Sequence, residues 1–343
     1  MKYLLNTLFI TSEDIYLSLD GENILANKDK QIVARYPLHN LCAIISFSYL
    51  GASPALMGAC ASRGIGLTFC TPRGKFLVRV LGESNGNVLL RRTQYRIADD
   101  QEQSCAIARN MIFGKIYNSR WSIERTIRDH KLRIDESKLK TVSARLKDLL
   151  NPLLEETSLE SLRGLEGTGA TAYFSIFDDM ILNKKEDFYF HCRSRRPPLD
   201  AVNAMLSFAY SLLQHDCASA LESVGLDAYV GFLHRDRPGR ASLSLDLMEE
   251  LRACMADRFV LTQINNRIVS LEDFEIQESG AVFMTEQARR AFLKNWQEKK
   301  QDLITHPFLK EKIQWGIVPY IQAMLLARFM RGDLEAYPPF LWK

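Results

Sequence analysis

Cysteine is scarce in this sequence, and its few copies follow no pattern that would cross-link the chain or bind a metal. The 343 residues include seven cysteines, an odd number, and no two of them form a CxxC pair. A disulfide scaffold and a zinc finger are therefore not expected, and a reducing compartment is indicated. The cysteines occupy positions 42, 60, 70, 105, 192, 217 and 254.

Long apolar runs and a targeting segment are also missing. The longest stretch without a formal charge, 36–62, is interrupted by two prolines and two glycines, so it predicts strands, turns and a short helix rather than a membrane span. The first ten residues carry one lysine and lead directly into polar and acidic residues, which does not fit a signal peptide. We therefore expect a soluble, cytoplasmic protein without membrane association.

The composition is ordinary for a globular protein, and the spacing of apolar residues divides the chain in two. Hydrophobic residues make up 47% and charged residues 25%, which excludes a disordered, collagen-like or coiled-coil chain. Short apolar runs typical of strands fill the first hundred residues, whereas the spacing is helical from residue 104 onward. The predicted fold class is α+β, with a β-sandwich-like N-terminal domain (1–97), a linker (98–103) and an all-α catalytic domain (104–343).

Local signals support this division. Residues 15–19 alternate as a half-buried strand does, and Asp20-Gly21 predicts a hairpin turn after them. A short helix is predicted at 53–62, with Ser53 as its N-cap and Pro54 in its first turn. In the helical part, apolar side chains recur from Ile107 to Leu132, while Lys115 and several arginines take the other positions.

The net charge is only +3, but the charges are unevenly placed. Residues 104–149 contain eleven basic and five acidic residues, and 150–189 contain three basic and eight acidic ones. A basic block beside an acidic one suits a protein that binds a polyanion with one surface and a metal cation with another. Oppositely charged, solvated helix faces would give the same pattern.

Glu166 is the first candidate for chemistry. It lies between Leu165 and Gly167 in a helical pattern that contains three glycines within six residues, 164–169. Glycines allow another backbone or a ligand to approach a helix closely. The alternative is an exposed glutamate beside a glycine that serves helix packing.

His234 is the second candidate. It lies in a loop interrupted by Gly231, Pro238 and Gly239 and crowded by arginines. The neighbouring cations favour the neutral ring, which is the form that binds a metal. Arginine also suits phosphate, because its planar fork can bind two oxygens at once. A loop histidine bonded to the backbone is the alternative.

The segment 242–252 supplies further acids. In a helix, Asp246, Glu249 and Glu250 share one face. Two carboxylates about 6 Å apart at an effective dielectric near 20 repel by roughly 3 kcal/mol, so a partly buried stripe of acids needs a cation. A divalent ion would supply it, and salt bridges to Arg240 or Arg252 are the structural alternative. Together with Glu166 and His234, these acids form a plausible ligand set for Mn²⁺ or Mg²⁺, which indicates a metal-dependent enzyme acting on phosphate esters.

Four blocks of sequence follow one another in the helical part: LEG at 165–167, PLDAVNAMLSFAYSLL at 198–213, GFLH at 231–234 with RPGR at 237–240, and LDLMEELR at 245–252. Taken in this order, they resemble the CRISPR-associated integrase family, the first core protein of spacer acquisition. The likeness covers nearly the whole chain, including the β-rich first hundred residues and the segment Lys115-Ile116-Tyr117-Asn118.

The resemblance implies roles for individual residues. It assigns the metal site to Glu166, His234 and Glu249, with Asp246 as a further acid that supports catalysis by holding metal-bound water or the attacking hydroxyl. Glu249 rather than Glu250 is chosen as the third ligand on the alignment of the motif alone. Phosphate contacts are expected from arginines near these motifs: Arg193, Arg195, Arg196, Arg237, Arg240 and Arg252.

The implied function is insertion of short foreign DNA into a CRISPR array. A 3′-hydroxyl of the incoming DNA attacks a phosphodiester at the repeat boundary, and the old 3′ oxygen leaves, so this transesterification needs no external energy source. The resemblance also implies cleavage of single-stranded or branched DNA, binding of double-stranded DNA, a homodimer, and a complex with dimers of the small second CRISPR-associated protein.

Two other readings stay open on the sequence. One is a general metal-dependent nuclease that resolves branched DNA in repair. The other is a DNA-binding scaffold without catalysis, in which the acids only pair with arginines.

Overall fold

The computed structural model describes residues 7–41, 43–71, 76–80, 82 and 88–343. Contacts within the chain divide it into two compact units. Cys42 lies outside the described residues, and the six other cysteines form no disulfide. The first unit contains the described residues up to 82 with Glu286–Leu303 and Gln314–Ile317, and the second contains residues 88–285, Ile304–Ile313 and Val318–Lys343.

The first unit is built on two sheets. One is a three-stranded antiparallel meander, and its first hairpin turns at Gly21, which has a φ of 57° that glycine adopts without steric penalty. The other has the order β1-β5-β6-β7, in which only β7 is antiparallel to its neighbour. The strands are β1 (Thr7–Ile10), β2 (Tyr16–Asp20), β3 (Asn23–Lys28), β4 (Gln31–Pro37), β5 (Ala43–Ser46), β6 (Gly66–Cys70) and β7 (Phe76–Val80).

Both sheets and helix α1 (Pro54–Arg63) share one core. Leu17, Ile44 and Leu56, one from each of these three elements, are fully buried. Helix α1 begins where the sequence predicts, because the Ser53 hydroxyl accepts a hydrogen bond from the Leu56 N–H (3.2 Å). The predicted N-terminal β structure is therefore confirmed.

The second unit is largely helical, which confirms the α+β class. It also carries a two-stranded antiparallel sheet, β8 (Phe274–Ile276) and β9 (Val282–Met284), so it is not purely α. No helix in the described part of the chain is both long and apolar enough to cross a membrane. The helices are α2 (Val88–Asp99), α3 (Gln101–His130), α4 (Glu136–Asp148), α5 (Leu150–Glu155), α6 (Leu159–Phe174), α7 (Ala201–Ser223), α8 (Ser242–Glu249), a π-helix (Arg252–Asp257), α9 (Arg258–Asn265) and α11 (Val318–Met330).

Two features depart from the predicted domain boundaries. Residues 98–103 do not form a linker: only Asp100 separates α2 from α3, and its carboxylate accepts hydrogen bonds from the backbone N–H groups of Glu102 and Gln103. The polar composition there is that of a helix N-terminus. In addition, α10 (Glu286–Gln301) belongs to the first unit, and the short strands β10 (Leu303–Thr305) and β11 (Lys312–Gln314) follow it.

Helix α3 is the central element of the second unit. Its buried side includes Ile107, Ile116 and Ile123, as the spacing predicts. Leu132 departs from that prediction: the helix ends at His130, and Leu132 is 99% exposed in the turn that follows. Lys115 also departs from it, because the lysine lies on the buried side of the helix.

Candidate functional site

Glu166 is positioned by close packing of α6 against α3. A Cβ placed on Gly169 would lie 2.8 Å from the Ile116 side chain, so only glycine allows this approach. Glu166 lies one helical turn earlier on the same side of α6. Its carboxylate therefore reaches α3 beside Ile116, where it forms an ion pair with Lys115. Gly169 therefore serves helix packing, which is the alternative interpretation of these glycines, and a Cβ on Gly167 would meet nothing within 4 Å.

Lys115 joins two carboxylates that are far apart in sequence. Its Nζ pairs with Glu166 Oε1 and lies 2.7 Å from Glu249 Oε2. The lysine is 8% exposed and Glu249 is 3% exposed, so both charges are removed from water. The structure thus brings together Glu166 and Glu249, two of the three predicted ligands, with an ammonium between them.

Glu249 is held as an anion. Burial alone would raise the pKa of its carboxyl, but the charges of Arg252 and Lys115 outweigh burial and lower that pKa to about 2. Arg252 lies 3.1 Å from Glu249 Oε1. The predicted salt bridge to Arg252 therefore exists, and it leaves Oε2 facing Lys115.

Glu250 has a different environment from its neighbour. Its carboxyl is fully buried and accepts hydrogen bonds from the Phe340 N–H (2.6 Å), the Tyr337 hydroxyl and the Gln322 side chain (3.0 Å). Burial raises its pKa to about 8, even though these donors act to lower it. The three acids of this segment therefore do not form one charged stripe, because each carboxylate has its own partners.

The pKa of Glu250 predicts a pH dependence of stability. The folded value of about 8 lies above the unfolded value of 4.5, so the unfolded chain loses this proton first as the pH rises. The associated stability is complete below the unfolded pKa and is lost progressively up to the folded pKa. Glu250→Gln removes the titration, so the free energy of unfolding should decline less between about pH 5 and pH 8 than in the wild type. Urea unfolding across this range measures it, and an unchanged slope would contradict the assignment.

His234 and Asp246 form the second half of the site. His234 Nδ1 lies 2.5 Å from Asp246 Oδ1, and a carboxylate only accepts, so Nδ1 carries a proton. In the neutral ring, Nε2 is then the nitrogen with the lone pair. Asp246 is fully buried and also accepts the backbone N–H groups of Phe232, Leu233 and His234. This differs from the prediction that Asp246 holds water or the attacking hydroxyl, because its oxygens are already engaged. Asp246 positions His234 instead.

Gly231 is required for this arrangement. A Cβ at this position would lie 2.8 Å from both Asp246 Oδ2 and the Ser242 side chain. The loop can therefore fold over the first turn of α8 only where a side chain is missing. On the other side of the loop, Arg163 donates to the Leu233 carbonyl from Nε (3.1 Å) and from its terminal nitrogen (2.6 Å). The backbone before His234 is thus fixed from both sides.

The donor atoms fit a divalent cation. Within the described residues, no three acidic, histidine or cysteine side chains lie close enough to hold a metal as they stand. Nevertheless, Glu249 Oε2 is buried, and Lys115 places a positive charge 2.7 Å from it. A positive charge on the His234 ring would lower the pKa of the Glu249 carboxyl, so the two side chains lie near each other. Two carboxylates and a neutral imidazole are ligands that Mn²⁺ and Mg²⁺ accept.

Comparisons with known proteins show which family the chain belongs to. A model for the family described as "CRISPR associated protein Cas1" matches residues 8–298. The chain belongs to this family. CRISPR-associated endonuclease Cas1 1 of Chlorobaculum tepidum is 48% identical over 343 residues and covers 100% of both chains. CRISPR-associated endonuclease Cas1 2 of Rhodospirillum rubrum is 47% identical over 347 residues, again with 100% of both chains covered.

Solved structures show the same fold at low sequence identity. A Cas1 protein from Thermotoga maritima has a TM-score of 0.80 at 20% identity, covering 97% of this chain and 99% of that one. A casposase bound to integration product has a TM-score of 0.81 at 23% identity, covering 96% and 92%. The Cas1 fold therefore extends over nearly the whole chain.

Two of the six arginines predicted to contact DNA, Arg193 and Arg252, bind other side chains of this Cas1 chain. Arg193 donates to Asn203 Oδ1 (2.7 Å) and Ser207 Oγ (3.0 Å), and its guanidinium lies 5.2 Å from the centre of the Tyr210 ring. Arg252 lies 5.0 Å from that ring, besides its pair with Glu249. These contacts do not support direct phosphate contact by Arg193 and Arg252. Both arginines instead pack on Tyr210 and stabilise helix α7, which carries it.

The other four arginines form a basic group beside the loop of His234. Arg195, Arg196 and Arg237 are exposed, and Arg240 is half-buried. Burial and the nearby charges of Arg237, Arg195 and Arg196 lower the pKa of Arg240. Cations that repel one another in this way attract a polyanion.

Lys115 is the residue of this Cas1 site that sequence reasoning missed. It was placed among the exposed positions of α3, although it lies four residues after Met111 and three after Ile112, both of which are buried. A lysine within an apolar helical stripe is a signal, because burial of an ammonium requires a partner. Its partners come from α6 and α8, which no local pattern reveals.

Proposed function

We propose that this Cas1 protein is a metal-dependent DNA endonuclease and integrase that inserts short DNA into a CRISPR array. The observation that carries the proposal is the meeting of Glu166 and Glu249 at Lys115. His234, whose ring is bonded to Asp246, is near enough to Glu249 to lower the pKa of that carboxyl. Glu166, Glu249 and His234 Nε2 would hold Mn²⁺ or Mg²⁺. When bound, such an ion polarises the phosphoryl oxygens and stabilises the charge that develops on the leaving oxygen.

The residues of the chain supply binding and orientation. Arg195, Arg196, Arg237 and Arg240 would bind DNA phosphates beside the loop that carries His234. In the proposed reaction, a DNA 3′-hydroxyl forms the new P–O bond, and the 3′ oxygen of the cut strand leaves and takes up a proton. One phosphodiester is exchanged for another, so no co-reactant is consumed. Water in place of the hydroxyl gives the endonuclease reaction.

The proposed assembly follows the family. One solved structure that shares the fold is a casposase bound to integration product, and another is a Cas6-RT-Cas1–Cas2 complex. We propose that this chain likewise works on DNA as a homodimer, together with a small second CRISPR-associated protein. Branched and single-stranded DNA are the proposed substrates of the endonuclease reaction.

An integration assay tests the proposal. The protein, its small partner, Mn²⁺, a labelled spacer duplex and a supercoiled plasmid with a CRISPR array are incubated, and covalent transfer of label to the plasmid is measured. We expect transfer from duplexes with 3′-hydroxyl ends and none from duplexes with dideoxy ends. Cleavage of branched DNA without transfer would favour a repair nuclease, and binding with neither reaction would favour a non-catalytic scaffold.

A further inference from the structure

The place between Glu166 and Glu249 already holds a cation, the ammonium of Lys115. Its Nζ pairs with Glu166 Oε1 and lies 2.7 Å from Glu249 Oε2. Glu249 Oε2 is buried, and the ammonium of Lys115 is the cation at this oxygen. The ammonium thus occupies the oxygen that a metal ion would need.

Among the four groups that meet at Lys115 and Glu249, the charges balance without a metal. Glu166 and Glu249 carry two negative charges, and Lys115 and Arg252 carry two positive ones. Arg252 pairs with the opposite oxygen of Glu249, Oε1, so it does not need to move when Oε2 changes partner. Among the residues that the structure describes, Lys115 is the cation that pairs with both carboxylates. Its side chain is long enough to swing away while its backbone stays in α3.

We propose that Lys115 is a resident counter-cation that holds the two carboxylates together in the metal-free protein and is displaced when a divalent ion binds them. This inference rests on the metal site of the proposed function. An ammonium and a divalent ion cannot share the same two carboxylate oxygens, because like charges at such separations repel strongly. Replacing one positive charge by two leaves a surplus of one, which the charge of a DNA phosphodiester would balance.

The exchange predicts that removing Lys115 strengthens Mn²⁺ binding rather than weakening it. In Lys115→Met, no ammonium competes with the ion, so Mn²⁺ should bind about 10-fold more tightly by calorimetry. Without metal, the same variant has uncompensated buried carboxylates, so its melting temperature should fall by roughly 5–10 °C. Saturating Mn²⁺ should restore it. A lysine that merely shaped the site would give weaker Mn²⁺ binding when removed.

Further variants keep the test decisive. Lys115→Gln retains a hydrogen-bond donor without the charge and should show the same tighter binding if Lys115→Met folds poorly. Adding Glu166→Gln to Lys115→Met should recover part of the lost metal-free stability, since one of the two carboxylates is then neutral. The matched control is Lys138→Met, which removes a lysine that pairs with a single carboxylate of Asp179 (2.5 Å), and it should leave Mn²⁺ affinity unchanged.

The outcomes separate this inference from the proposed function. Tighter Mn²⁺ binding by both Lys115 variants supports the exchange. Equal or weaker binding by the variants, with clear binding by the wild type, would overturn the exchange and leave the metal site standing. Absence of Mn²⁺ binding by every variant and by the wild type would overturn both.

Discussion

Glu249→Gln is expected to lower Mn²⁺-dependent DNA cleavage and strand transfer by about 10³-fold or more, since a catalytic metal contributes several kcal/mol to the barrier. Glutamine keeps the shape of the side chain but removes its negative charge. Glu249 carries that charge because Arg252 and Lys115 lower the pKa of its carboxyl to about 2. An amide is a poor ligand for these ions compared with a carboxylate. Cleavage of a labelled branched DNA under single-turnover conditions measures the loss.

The neighbouring acid provides a matched control for this substitution. Glu250→Gln changes the same chemical group one residue away, but its carboxyl faces Tyr337, Gln322 and Phe340 rather than Lys115. It should keep near wild-type cleavage at pH 7. If Glu250→Gln lost activity and Glu249→Gln kept it, the third ligand would be assigned to the wrong glutamate.

Asp246→Asn is expected to weaken Mn²⁺ binding by about 10- to 100-fold, because a group that orients a metal-binding histidine is removed. The asparagine amide would donate to His234 Nδ1, which moves the ring proton to Nε2 and blocks the lone pair meant for the metal. In the wild type, Asp246 Oδ1 accepts the backbone N–H of His234 at 3.0 Å. An amide NH2 group in that place would put two donors against each other, so this hydrogen bond would be lost. We expect a loss of about 2–4 kcal/mol in unfolding free energy.

Calorimetry with Mn²⁺ and urea unfolding measure these two effects. Asp200→Asn is a suitable control, because Asp200 also accepts a backbone N–H, that of Asn203 (2.7 Å), at the start of α7. It should lose about 1 kcal/mol of stability or less, as a helix cap does, and keep its Mn²⁺ affinity. Wild-type affinity in Asp246→Asn would show that the aspartate does not act through His234.

Local chemistry in the sequence was enough to predict much of the fold. The hairpin at Gly21 and the cap of α1 at Ser53 depend on residues within a few positions of each other, and both were found where expected. The linker was mispredicted because the residues that start a helix, such as Asp100, are also typical of loops. The association of α10 with the first unit depends on contacts nearly three hundred residues apart in sequence, such as the one between Arg290 and Ser12.

The candidate site was predictable in its residue types but not in their pairing. His234 and Asp246 are twelve residues apart, and Gly231, Pro238 and Gly239 indicate a loop that begins before His234. Glu249 faces Lys115 because α3 packs there, and Glu250 faces Tyr337 because the C-terminal segment, which carries no motif, packs on its other side. Helical periodicity places both acids on one side of α8 and says nothing about what packs against each.

A crystal structure of the protein with Mn²⁺, read from the anomalous scattering of manganese, tests the central claim most directly. The account predicts one strong peak bonded to carboxylate oxygens of Glu166 and Glu249 and to His234 Nε2, with Lys115 turned away and Asp246 still bonded to Nδ1. A peak bound elsewhere, or none at saturating Mn²⁺, would contradict it.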